Sequence, residues 1–165
     1  MSARSLSGHE GLPEDPLDTV DAPVDLRFEV EVEAGPAPVW RTLSEVSRWP
    51  LWNRGVSFAV LDGELAPGTR LHWRADGMRI ASQIAELEPQ RLLGLTLRTM
   101  GGRGYHRWTL EPLEGDRVLV RSEEIWDGLG VRILRRTLRR TLSRSRTHWL
   151  EALKNQVEGS GEGDA

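Results

Sequence analysis

Residues 129–157 repeat apolar or small side chains at Val131, Leu134, Leu138, Leu142, Ser145, Trp149 and Ala152, in steps of three and four. That is one face of an α-helix. At ~1.5 Å per residue the helix is roughly 40 Å long, enough to cross a whole small domain. A helix of that length at the end of a 165-residue chain needs one broad apolar surface to lie on.

The preceding residues have the pattern of such a surface. Phe28, Val30 and Val32 alternate with Arg27, Glu29, Glu31 and Glu33, the period of a half-buried strand. Gly35 and Pro36 end that strand, and Val39, Trp40 and Leu43 give the next segment a helical face. Pro50 interrupts it and leaves a second short helical turn with Trp49 and Trp52. Six further strands are expected over 56–61, 69–75, 78–87, 92–99, 103–111 and 117–126. The segments between them (DGELAPG, DG, EPQ, MGG and LEGD) are turn-forming. Such short connections make successive strands antiparallel neighbours. The expected class is therefore α+β: a curved antiparallel sheet of about seven strands, two short helices after the first strand, and a long C-terminal helix across the sheet. Residues 24–157 form this domain. Residues 1–23 and 158–165 are polar and aperiodic and are expected to be a disordered leader and tail.

Several chemistries are missing from the sequence. The chain has no cysteine, which excludes disulfides, thiolate metal sites and a thiol nucleophile. Its four histidines are too far apart for metal-binding spacing, and no phosphate-cradling glycine loop or nucleophile elbow occurs. No metal or cofactor is expected. No apolar run is long enough to span a bilayer and no secretory h-region is present, so a cytoplasmic location is expected.

Charge is distributed unevenly. From Gly128 to Leu150 there are seven arginines and no acid. The whole chain is at −3, so taking away those seven charges leaves about −10 for the rest. The arginines can pair with the acidic strands or make a peripheral contact with an anionic membrane. Nucleic acid is not an expected partner, because the overall balance is acidic and basic residues are not interleaved with aromatics.

The ordered set RFEVEVEA, PAPVW, VSRWPLWN, IAELEPQRLLGLTLR and YHRWTLEPLEGDRVLVRSEEIWDG, followed by the terminal helix, covers Val24 to Gln156. It resembles the START-like (Bet-v-1-like) SRPBCC superfamily, and within it the polyketide cyclase/dehydrase and lipid-transport group. The resemblance implies a helix-grip fold with a deep cavity for an apolar or amphipathic small molecule. It does not select one activity, because such domains serve as cyclases, lipid or quinone carriers, hormone receptors and chaperone activators.

Strand alternation indicates which side chains face that cavity. It sends His106, Trp108 and Leu110 inward and Tyr105 and Arg107 outward. It also sends in Val118, Val120, Ser122, Glu124 and Trp126, and with them Leu71, Trp73, Ile80, Ser82, Ile84, Leu93, Leu95 and Leu97. His106 and Glu124 are the candidate catalytic pair, an imidazole and a carboxylate able to move a proton inside a dry site. The plain structural reading is a core histidine, with the glutamate at the rim or paired with an arginine. Candidate ligand-binding residues are Trp52, Trp73, Ser82, Leu95, Trp108, Trp126, Leu138, Thr141, Ser145 and Trp149. Thr141 and Ser145 equally allow close helix–sheet approach, and His148 is expected at the boundary of the helix's apolar face. The functional expectation is a cofactor-independent cyclase, aromatase or dehydratase that shapes its substrate and assists with protons. The alternatives are a non-catalytic lipid or quinone carrier and a protein-interaction module.

Overall fold

Alternation in the sequence becomes seven strands, and the long periodic segment becomes one helix across them. A computed structural model describes residues 21–161, so the first twenty residues of the expected leader and the last four of the expected tail lie outside it. The elements are β1 (Val24–Val32), α1 (Pro36–Ser44), a 3-10 turn (Val46–Arg48), α2 (Trp49–Trp52), β2 (Val56–Leu61), β3 (Arg70–Ala75), β4 (Met78–Glu88), β5 (Leu92–Thr99), β6 (Gly102–Leu113), β7 (Arg117–Asp127) and α3 (Leu129–Gly161). All seven strands form one antiparallel sheet in the order β1-β7-β6-β5-β4-β3-β2. Strands β2 to β7 are hairpin neighbours, as their short turns require. β1 instead pairs with β7, setting Val24 opposite Trp126 and Val32 opposite Val118. This is the helix-grip arrangement.

Glycine shapes the β3–β4 turn and the entry to α3. Asp76 and Gly77, between β3 and β4, have φ of 49° and 82°, the left-handed pair of a two-residue hairpin. Gly128 has φ of 131°, and a Cβ there would lie 2.7 Å from the Gly101 carbonyl oxygen. Gly130 donates to that same carbonyl at 3.1 Å, which seats the start of α3 on the β5–β6 turn.

Helix α3 buries Val131, Leu142, Arg146, Trp149, Leu150, Leu153 and Val157. It continues to Gly161, so residues 158–161 of the expected tail are helical. Glu158 holds this end by accepting the Glu33 backbone N–H at 2.8 Å and pairing with Lys154 at 3.2 Å. At the other end the helix is interrupted at Leu134, whose φ of −102° and ψ of 15° are not helical. The break takes Leu134 off the expected apolar stripe and leaves it exposed.

The core between sheet and helix is rich in indole. Trp149 is surrounded by Trp49, Trp52, Trp73 and Trp108, with ring centroids 5.0, 5.6, 5.9 and 5.6 Å away. The first three contacts are edge-to-face, the arrangement that aromatic quadrupoles favour. On the outer face Tyr105, expected to meet water, is buried against Ile125 and Ala22. Ala22 comes from the segment before β1, a cover that strand alternation alone does not reveal.

Trp49 is fully buried, and its indole N–H donates to the Leu43 carbonyl at 2.9 Å. Trp49→Ala is expected to cost about 3–5 kcal/mol. Urea unfolding measures this, and an unchanged midpoint would refute the place given to Trp49 in the core.

Candidate functional site

The register of β6 on β7 sets His106 opposite Glu124 and Trp108 opposite Ser122. All four are buried, because alternation turns them to the face that α3 covers. His106 Nδ1 lies 3.3 Å from Glu124 Oε2, and Nε2 lies 2.8 Å from Ser122 Oγ. With the proton on Nδ1, Nε2 accepts from the Ser122 hydroxyl. The imidazole also packs against Trp108, with centroids 3.6 Å apart and the rings tilted by 34°.

A third charged member comes from the helix. Arg146 is 1% exposed, and its Nε lies 2.7 Å from Glu124 Oε2. No N–H points along that line, so the contact is an ion pair and not an aligned hydrogen bond. The Trp126 indole N–H donates to the other carboxylate oxygen, Oε1. The guanidinium carbon also sits 5.6 Å from the Trp149 ring, within cation–π range.

Arg146 is the buried member of the arginine run. It follows Leu142 by four residues and precedes Trp149 by three, so it occupies the buried stripe. Its neighbour Ser145, expected on that stripe, turns to the β3–β4 turn and donates to the Asp76 carboxylate. Thr141, one residue before Leu142, is exposed, as is His148. Neither Thr141 nor Ser145 takes the position expected of a ligand-binding residue.

Burial sets the electrostatics. It pushes His106 well below the ordinary value of 6.5, and the charge of Arg146 pushes it further. Burial raises Glu124 above its ordinary 4.5, opposed by Arg146 and the Trp126 N–H, with a smaller push upward from Asp76. The two shifts bring the imidazole and the carboxyl toward each other.

The expected lining residues separate into two groups. Trp73, Ser82, Leu95, Trp108 and Trp149 are closed core. Trp73 donates to Ser82 Oγ at 3.0 Å, and Leu95 lies between Ile84 and His106 in the sheet. Indole volume fills the region where a deep cavity was expected. Inside this region the indole N–H groups of Trp52, Trp108 and Trp149 and Nη1 of Arg146 are buried without a protein acceptor. Trp126 and Leu138 form the second group. They line a cleft of about 230 Å³ under the first turns of α3, together with Met100, Gly102, Val131 and Leu134. Trp126 therefore forms part of the cleft wall and also caps Glu124, so one indole stands between the cleft and the charged cluster. Trp52 joins the indole cluster through Trp149 and also lines a groove with Arg41, Thr42 and Gln156. Among the described residues, no helix is long and apolar enough to cross a membrane.

The sequence matches the family described as "Polyketide cyclase / dehydrase and lipid transport" over residues 23–158. No curated protein matches it. Similar solved structures include a hypothetical protein of Helicobacter pylori, 19% identical, with a TM-score of 0.75 over 94% of this chain and 99% of that one. A START superfamily protein of Mycobacterium smegmatis is 16% identical, with a TM-score of 0.70 over 82% of this chain and 97% of the other. The Zhui aromatase/cyclase of a Streptomyces species is 18% identical, with a TM-score of 0.67 over 82% and 93%. These likenesses establish the shared fold.

Two measurements check the cluster. Arg146→Leu leaves Glu124 buried without its counter-charge and is expected to cost about 3–5 kcal/mol, most of which Arg146→Leu/Glu124→Leu recovers. Equal losses in the single and double variants, measured in denaturant, would contradict the pairing. The folded pKa of His106 is depressed, so its contribution to stability is present above about pH 6.5 and is lost as the pH falls. Glu124 is raised and acts in the opposite sense, its contribution fading as the pH rises above about 4.5. Comparing wild type with His106→Gln isolates the histidine. Their stability difference is expected to narrow between about pH 7 and about pH 5, whereas a constant difference would mean that His106 is not held neutral.

Proposed function

Because the chain belongs to the polyketide cyclase / dehydrase and lipid transport family, we propose that it binds a hydrophobic or aromatic small molecule between its sheet and α3 and cyclises, aromatises or dehydrates it. The observation that carries this reading is the buried His106–Glu124 pair, 3.3 Å apart and one indole away from an apolar cleft. A cleft of about 230 Å³ exceeds the ~150 Å³ that admits a benzene ring, so one ring enters without rearrangement. Trp126, Val131 and Leu138 give that ring flat and aliphatic walls.

A substrate that turns the Trp126 indole aside takes over its hydrogen bond to Glu124 Oε1. A hydroxyl or enol then donates to the carboxylate, and Glu124 or His106 accepts a proton from the carbon that reacts. In a dehydration the same pair returns a proton to the departing hydroxyl, so no external acid is needed. Such assistance contributes about 10²–10⁴-fold, and holding a flexible chain in its ring-closing conformer contributes the rest. Arg146 acts as a positioning residue whose charge opposes the effect of burial on the carboxylate. The fold shared with the Zhui aromatase/cyclase supports the reading.

One observation favours a carrier instead: His106 and Glu124 are not on the cleft wall. Native mass spectrometry of the purified protein, followed by organic extraction, identifies a bound molecule and its class. With a substrate of that class, His106→Ala and Glu124→Gln are each expected to lower turnover about 100-fold or more. Binding, followed by tryptophan fluorescence, should stay within about threefold of wild type. Full turnover in both variants refutes the catalytic assignment, and a bound lipid or quinone that is never converted identifies a carrier.

A further inference from the structure

The first three turns of α3 are nearly uncovered. Leu129 is 75% exposed, Ile133 72% and Leu134 55%, and Met100 on the adjoining β5–β6 turn is fully exposed. Met100 and Leu134 frame the mouth of the cleft. Behind this apolar tip the arginines form two neighbouring rows, Arg132–Arg136–Arg140–Arg144 and Arg135–Arg139, each stepping by four. Arg132 pairs with Asp127 at 3.0 Å. Arg135, Arg136, Arg139, Arg140 and Arg144 have no acidic partner among the described residues. The expected pairing of the run with the acidic strands is thus not found for these five. Glu124 is taken by Arg146, and the outer strand acids are matched by strand arginines, as in Arg117–Glu31 and Arg121–Glu29.

We propose that this end of the molecule docks on an anionic phospholipid surface. Leu129, Ile133, Leu134 and Met100 enter the headgroup layer, and the two arginine rows lie at the level of the lipid phosphates. Exposed apolar side chains beside unpaired cations are the combination that an interface of this kind satisfies on both counts. A nucleic acid or an acidic protein surface would neutralise the arginines but leave the four apolar residues in water. Docking also presses the mouth of the cleft against the bilayer. An apolar ligand then passes from lipid to cleft without crossing water, a consequence that rests on the binding function proposed above, whereas the docking itself does not.

The test uses the full chain and two vesicle preparations, one of phosphatidylcholine and one of equimolar phosphatidylcholine and phosphatidylglycerol. Co-flotation is expected with the anionic vesicles at low salt and is expected to fall as salt rises. Because each arginine near such a surface is worth about fivefold in affinity, Arg136→Gln/Arg140→Gln should weaken partition about tenfold or more. Leu129→Asp/Ile133→Asp should abolish it. Far-ultraviolet circular dichroism confirms that these surface variants are folded, and unchanged tryptophan titration with an apolar ligand separates loss of docking from loss of binding. The chain lacks cysteine, so Ile133→Cys carries a single polarity-sensitive fluorophore, whose emission should shift to the blue on anionic vesicles. Absence of partition at low salt overturns the proposal. So does partition that depends on the arginines but not on Leu129 and Ile133, which is simple adsorption, and so does arginine-dependent capture of nucleic acid without vesicle binding.

Discussion

Arg146 carries a charge that cannot be discharged into the interior of the domain, and the surrounding arrangement answers it. A buried guanidinium is tolerated only opposite a counter-charge, because its desolvation penalty is several kcal/mol. Glu124 is that counter-charge. It stands on β7 between Leu26 of β1 and His106 of β6, so the ion pair ties the phase of the helix to the register of three strands. Slipping β7 by one residue would turn Glu124 to the outer face and leave Arg146 alone. Turning α3 by one residue would present Ser145 or Thr147 to the carboxylate. The pair thus selects one seating of helix on sheet, and the same seating brings His106 against the carboxylate.

The strands were legible because one side of each is polar. In β7 the set Val118, Val120, Ser122, Glu124 and Trp126 separates cleanly from Arg117, Arg121 and Glu123, and pairing in the folded sheet preserves that division. Tyr105 departed from it because Ala22, from outside the sheet, covers the ring. Arg146 was legible in position and not in fate. Leu142, Arg146, Trp149 and Leu153 step by four and three along one stripe, but a charge on that stripe reads as a boundary until its partner on another element is known. The cavity was the least legible feature. Alternation tells which face a side chain occupies and says nothing of whether the side chains on that face meet and close the space, as the indoles of Trp49, Trp73, Trp108 and Trp149 do here.

The two ends of α3 are held very differently. Its C-terminal half is anchored by Trp149, Leu150, Leu153 and Val157 and by the contacts of Lys154 and Glu158 with the end of β1. Its first turns rest on Val131, the half-buried Leu138 and the glycine contact with the β5–β6 turn. With fewer buried apolar contacts, local opening costs less here than at the C-terminal half. The cleft lies under this loosely held end. Trp126, at its floor, is the point where such opening meets the charged cluster.

The pairing of β1 with β7 bears on how the chain reaches this state at all. As the protein leaves the ribosome, β1 emerges first and its partner strand emerges about a hundred residues later. Until then β1 has no neighbour in the sheet, while β2 to β6 can form one hairpin after another. Closing that long loop is the step with the largest chain-entropy cost. Completion of the sheet therefore waits for β7, the last strand among the described residues.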